Sequence, residues 1–258
     1  MAHCTDHNSS ACCQARWRYG AQLRLILLLA TGACMALPGW AAAAQRIERV
    51  LIVGDSAMQS GLGTALERAL EQEEQAKVLR FAQQSTGLCR PDRFDLNKKL
   101  AELKEQFHPQ LVIAEWGNND NQAVFGANKQ LIAKFGTPEW DEVYAARIAA
   151  AVKLMREGDC AVVILGLPNM RDRQTANKAQ HINELVEAAA TGAGGTYIST
   201  WEMTSASNGK YLAAVEWDGK TRAMREGDGV HLSSHGAAYV AAKLLLKLEQ
   251  RFSFPAKS

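Results

Sequence analysis

Short apolar runs alternate with amphipathic stretches along most of this chain. Residues 47–53 form a continuous apolar-rich run, and 61–75 place Leu62, Leu66, Ala69 and Leu70 on one face of a helix. The alternation continues with a strand at 76–82, a loop at 83–93, and a helix at 96–107 that turns Leu96, Leu100, Leu103 and Phe107 inward. A third strand at 111–116 precedes a long polar segment, 117–136. Thr137-Pro138 reads as an N-cap followed by proline at the first helical position, opening a helix to about Glu157. A strand at 161–166, a helix at 175–190, a short strand at 196–199 and a closing helix at 236–251 complete the pattern. The closing helix buries Ala237, Val240, Leu244 and Leu248. Strand–helix alternation with short apolar strands predicts an α/β fold, with a central parallel sheet of about five strands and helices on both faces. One stretch departs from it. Residues 211–225 alternate around Asp218-Gly219, a strong hairpin turn signal, and predict a small hairpin just ahead of a second polar motif.

The first 44 residues follow different rules. Arg16, Arg18 and Arg24 precede an uncharged run that holds Leu25-Ile26-Leu27-Leu28-Leu29 and ends in Pro38-Gly39-Trp40 and four alanines. Basic, apolar and small-residue regions in that order describe an export signal. We expect cleavage near Ala43 or Ala44, a secreted or periplasmic product, and one domain over 45–258. An uncleaved anchor is the alternative, because the run is nearly long enough to span a bilayer. Four of the six cysteines lie in this segment, leaving Cys89 and Cys160. Those two fall at opposite ends of expected parallel strands, too far apart to bridge, so unpaired thiols are expected.

The bulk numbers exclude more than they suggest. With 258 residues, 47% hydrophobic, 22% charged and a net charge of +2, the composition is ordinary for a globular domain. Nothing in that balance points to nucleic acid or an anionic membrane surface as the main partner.

The residues able to do chemistry sit where apolar runs stop. Ser56, in Gly54-Asp55-Ser56, follows the first strand at a helix start. A serine or aspartate there also serves simply to cap a helix. Asp228-Gly229-Val230-His231 places an acid three residues before a histidine, ready to accept its second ring N–H. Asn119, in Gly117-Asn118-Asn119-Asp120, follows the third strand, where an amide can donate to an oxyanion or merely make a turn. Gly87 follows the second strand, where backbone can approach a ligand closely. Competing motifs fail on spacing. Gly61-Leu62-Gly63 lacks the third glycine of a dinucleotide loop. His231 and His235 are four apart, but His235 belongs to a helix start, and a calcium loop around Asp228 has the wrong ligand spacing. No metal or cofactor is expected.

Taken together, these motifs and their order resemble the SGNH (GDSL-type) hydrolase superfamily over essentially all of residues 45–258. The resemblance implies a flavodoxin-like three-layer α/β/α sandwich. It implies Ser56 as nucleophile, His231 as base, Asp228 as its orienting acid, and an oxyanion hole of the Ser56 and Gly87 N–H groups with the Asn119 side chain. Ala57 stands where many members have leucine. The expected activity is hydrolysis of O-acetyl or other short acyl esters through an acyl-serine, on cell-envelope carbohydrate. Two alternatives use the same scaffold: an acyltransferase supplied by a membrane-bound acyl-carrying partner, and a glycan-binding protein using Trp140, Trp201, Trp217 and Tyr211.

Overall fold

The apolar runs become strands and the amphipathic stretches pack over them, in a computed structural model that describes residues 46–255. The expected export segment lies outside the described residues. The chain runs β1 (Arg49–Gly54), α1 (Ser56–Gln59), α2 (Gly61–Gln72), β2 (Lys77–Ala82), α3 (Leu96–Phe107) and β3 (Leu111–Glu115). It continues through β4 (Val124–Phe125), β5 (Leu131–Ala133), α4 (Pro138–Arg156), β6 (Ala161–Leu165) and α5 (Arg173–Gly192). Last come β7 (Thr196–Ile198), β8 (Ala214–Trp217), β9 (Lys220–Ala223) and α6 (Ser234–Glu249).

The central sheet has five strands in the order β2-β1-β3-β6-β7, every neighbouring pair parallel. That is the flavodoxin-like order, in which the chain leaves β1 to one side and returns on the other. The gap between β1 and β3, at their C-terminal ends, is the switch point where such sheets hold ligands.

Alternation along each strand feeds two cores. Val50 and Ile52 of β1 pack with Leu66 and Leu70 of α2 and Val240 and Leu244 of α6. Leu51 and Val53 join Leu100 of α3, Val152 of α4 and Ile182 of α5 on the other face. The continuous apolar run reflects burial on both sides. Local signals set the helix starts: Thr137 accepts from the Trp140 N–H ahead of Pro138, and Ser233 accepts from the Gly236 N–H at 3.0 Å.

Three features differ from the sequence pattern. The segment 117–136 contains an antiparallel ribbon, β4–β5, lashed down by Arg147 of α4, whose guanidinium donates to the carbonyls of Leu88 and Phe125. A separate single turn, α1, intervenes before α2, and α2 stops at Gln72 rather than at 75. Elsewhere the hairpin forms as expected, with both turn residues, Asp218 and Gly219, at positive φ (52° and 69°), the geometry a two-residue turn of matching twist requires. Cys89 and Cys160 are buried, free thiols. Among the described residues no helix is long and apolar enough to cross a membrane.

Candidate active site

Ser56 is the first residue of α1, held at the end of β1 by its neighbours. Asp55 caps the turn, its Oδ1 accepting from the Ala57 N–H at 3.0 Å. Gly54 is required by close approach. A Cβ there would lie 2.5 Å from the Met58 side chain and 2.6 Å from the Glu115 carbonyl oxygen. The Gly-Asp-Ser sequence thus encodes a tight turn as well as a nucleophile.

His231 arrives from the loop before α6. Asp228 first shapes that loop, its Oδ1 accepting from the N–H groups of Val230 (2.8 Å) and His231 (3.0 Å). Its Oδ2 lies 2.6 Å from His231 Nδ1. An ionised carboxylate only accepts, so Nδ1 carries the ring proton and Nε2 is the acceptor. Ser56 Oγ donates to that Nε2 at 3.0 Å. Partial burial would raise the Asp228 pKa, but the bonds from His231 and the two backbone N–H groups outweigh it and hold the carboxyl below its ordinary range. The structure therefore brings together the three residues picked from sequence, from positions 175 apart in the chain.

Asn119 follows β3 and faces the same space. Its Nδ2 donates to the Thr86 carbonyl at 3.0 Å and to Asp55 Oδ2 at 3.3 Å. Gly87 sits one residue further along. In a planar trans peptide the N–H opposes the carbonyl, so the Gly87 N–H points away from Asn119 while the Thr86 carbonyl meets it. Gly87 lines a separate small cavity with Leu88, Pro91 and Phe94, and its missing Cβ makes room for Asp120, whose Oδ1 would lie 2.3 Å away. Asp120 was legible only as the end of a turn motif. It is a buried clasp, accepting from the N–H groups of Leu88 and Cys89 and from the Tyr144 hydroxyl at 3.0 Å. Burial raises its pKa, and those donors oppose the rise.

Two more acids lie behind the serine. Burial pushes the Asp55 carboxyl up to about 6, against the pull of the Ala57 N–H. Glu115, the last residue of β3, is fully buried, and burial with the nearby Asp55 raises it well above the usual range. Arg225 opposes that rise, though burial lowers its own pKa to about 10. The sequence reading missed this cluster, whose one local signal is a glutamate closing an otherwise apolar strand.

A cavity of about 1220 Å³ opens over Ser56, Asn119, Asp228 and His231 and extends between α2 and α6, past Ala65, Ala69, Ala238 and Ala242. None of the four aromatics considered as sugar platforms lines it. Trp140 is fully buried and stacks on Tyr144. His235 is exposed on the first turn of α6, and His108 caps α3. Among the described residues no group of three or more His, Cys, Asp or Glu could hold a metal ion.

The five-stranded parallel sheet covered by helices on both faces is a fold shared with GDSL-like lipases and esterases. The chain belongs to the family DUF459, described as a protein of unknown function, whose model matches residues 49–247. A search of curated proteins by sequence finds no match. Similar solved structures include a GDSL-like lipase from Bacteroides thetaiotaomicron, 14% identical, with a TM-score of 0.56 over 79% of this chain and 88% of that one. An acetylxylan esterase from Geobacillus stearothermophilus is 14% identical, with a TM-score of 0.54 over 80% of this chain and 95% of the other. An α/β hydrolase enzyme from the metagenome of Lake Arreo is 14% identical, with a TM-score of 0.57 over 81% and 98%. At these identities the likeness is one of fold.

Proposed function

We propose that this chain is an exported serine esterase that removes O-acetyl or other short acyl groups, with a cell-envelope carbohydrate as the alcohol component. The observation that carries the reading is the hydrogen-bonded series from Ser56 Oγ to His231 Nε2 and from His231 Nδ1 to Asp228, at 3.0 and 2.6 Å. A hydroxyl becomes a useful nucleophile when a positioned base takes its proton, and the base must be held in the right tautomer.

Each group then has one task. Ser56 Oγ attacks the ester carbonyl as His231 takes its proton, and Asp228 stabilises the imidazolium that forms. Negative charge develops on the former carbonyl oxygen. The Ser56 N–H and the Asn119 amide donate to it, the anion taking over an amide hydrogen from Thr86 or Asp55 because a charged acceptor bonds more strongly. His231 returns its proton to the leaving alcohol. Water activated by the same histidine then hydrolyses the acyl-Ser56 ester.

The similar structures, an acetylxylan esterase and its serine-to-alanine catalytic mutant among them, support this class. Export is proposed from the N-terminal pattern alone. Acetate release from p-nitrophenyl acetate and from O-acetylated polysaccharides tests the reading. Turnover by the wild type, lost in Ser56→Ala, is the expected result. Turnover retained in Ser56→Ala, or absent from the folded wild type on every ester, overturns it.

A further inference from the structure

Asp55 is completely buried, and helix capping occupies only half of its carboxyl group. Oδ1 serves the cap, accepting from the Ala57 N–H at 3.0 Å. Serine, threonine or asparagine caps a helix as well without burying an ionisable group, which is costly. The second oxygen, Oδ2, faces the loop after β3 and accepts from Asn119 Nδ2 at 3.3 Å. The other hydrogen of that amide goes to the Thr86 carbonyl at 3.0 Å. Burial pushes the Asp55 carboxyl up to about 6, Asp120 adds to the rise, and the Ala57 N–H, His231 and the Asn118 amide oppose it. At about pH 8 the group is therefore ionised and only accepts.

The two acceptors on Asn119 act together. The hydrogens of a side-chain amide lie in its plane, so a partner for each fixes both the direction and the twist of the group. They also settle which end of Asn119 faces them. With the amide reversed, its oxygen would meet the Thr86 carbonyl and the Asp55 carboxylate, three acceptors with no hydrogen among them. Thr86 follows β2 and Asp55 follows β1, so the donor is held from two strands. Asp55 adjoins Ser56, so the hydrogen it holds lies against the turn that carries the nucleophile. An oxyanion donor contributes most when it is aimed before charge develops. We propose that Asp55 is a positioning residue for ester hydrolysis, its Oδ2 holding the Asn119 amide in the orientation from which it donates to the oxyanion. This rests on the reading of Ser56 as nucleophile and Asn119 as oxyanion donor.

Asp55→Asn isolates that role. Asparagine keeps the size and the cap but presents one oxygen instead of two. With that oxygen on the Ala57 N–H, its NH2 group meets the NH2 of Asn119, donor against donor.

Steady-state hydrolysis of p-nitrophenyl acetate at that pH is measured for the full chain, Asp55→Asn, Asn119→Ala and the double variant, alongside thermal unfolding. Asp55→Asn should lower kcat roughly ten- to a hundredfold, less than the loss of a whole donor, with KM changed far less. In the Asn119→Ala background the same substitution should change kcat by less than about threefold, because the group it acts through is gone. Equal losses in the two backgrounds, or a folded Asp55→Asn with the wild-type kcat, overturn the proposal and leave the hydrolase reading standing. If Asp55→Asn does not fold, a crystal structure of the wild type phosphonylated at Ser56 decides. Asn119 Nδ2 reaching both the phosphonyl oxygen and Asp55 supports the proposal, and an amide that reaches the phosphonyl oxygen without Asp55 contradicts it. No turnover by the folded wild type would overturn the serine hydrolase reading and the proposal with it.

Discussion

Asn119 donates to Asp55 across 3.3 Å, tying the loop after β3 to the turn that carries Ser56. The bond exists because β1 and β3 are adjacent at the switch point, with Gly54 paired to Glu115 at the strand ends. A residue one past the end of β1 and another four past the end of β3 therefore meet over one space. The same amide holds the Thr86 carbonyl at 3.0 Å, so three strand ends are gathered by one side chain.

Replacing Asn119 by alanine should remove both this tie and an oxyanion donor. Turnover of an activated ester should fall by about 10²–10³, the usual cost of one such donor. The KM should change far less than kcat, which steady-state kinetics will show.

Asp228→Asn should be severe without unfolding the protein, because Asp228 is exposed. An amide in place of the carboxylate permits the wrong imidazole tautomer, and a loss of roughly 10⁴-fold in kcat is expected. The depressed pKa of Asp228 also fixes a sign: its stabilising effect is present above the ordinary aspartate pKa and is lost as pH falls through the lower, folded value. Unfolding in urea between pH 2 and 5 should show that acid loss in the wild type and less of it in the variant.

The buried acids act in the opposite direction. Asp55 is raised to about 6 and Glu115 well above its usual value, so the folded state holds their protons more tightly than the unfolded chain. Their contribution is fully present below the ordinary carboxylate pKa and is lost as pH rises through 6 and beyond. Glu115→Gln removes part of this dependence. Its melting temperature should fall less between pH 5 and 8 than that of the wild type.

Gly87→Ala should destabilise by about 1–3 kcal/mol, the cost of overpacking, because the added Cβ would lie 2.3 Å from Asp120 Oδ1. Tyr144→Phe removes one of the donors to Asp120 and should cost about 1 kcal/mol. Chemical denaturation of both variants measures these differences. Activity should suffer in Gly87→Ala beyond its effect on stability, since the loop it disturbs also carries the Thr86 carbonyl bound by Asn119.

Much of this was written locally in the chain. Apolar strands bounded by turn residues, the Thr137-Pro138 start and the Asp218-Gly219 turn each depend on a few neighbouring residues, and these elements formed within a few positions of expectation. Ser56 and Asn119 were visible because parallel sheets place their strand ends together, and Asp228 and His231 because an acid three residues before a histidine can reach its ring. What escaped notice depends on distant packing. The β4–β5 ribbon has only two and three residues, with Leu131 and Ile132 facing solvent, too short and irregular for a period to show. The clasp of Asp120 by Tyr144 joins residues 24 apart through the placement of α4, which no local pattern encodes. Gly87 was singled out for a donor role, yet packing against Asp120 already requires a glycine there.

The most direct test of the account is reaction of the purified protein with a fluorophosphonate at neutral pH, followed by peptide mass mapping. The account predicts a single adduct on Ser56, abolished in His231→Ala. A folded protein that stays unmodified, or one labelled at a residue other than Ser56, would contradict it.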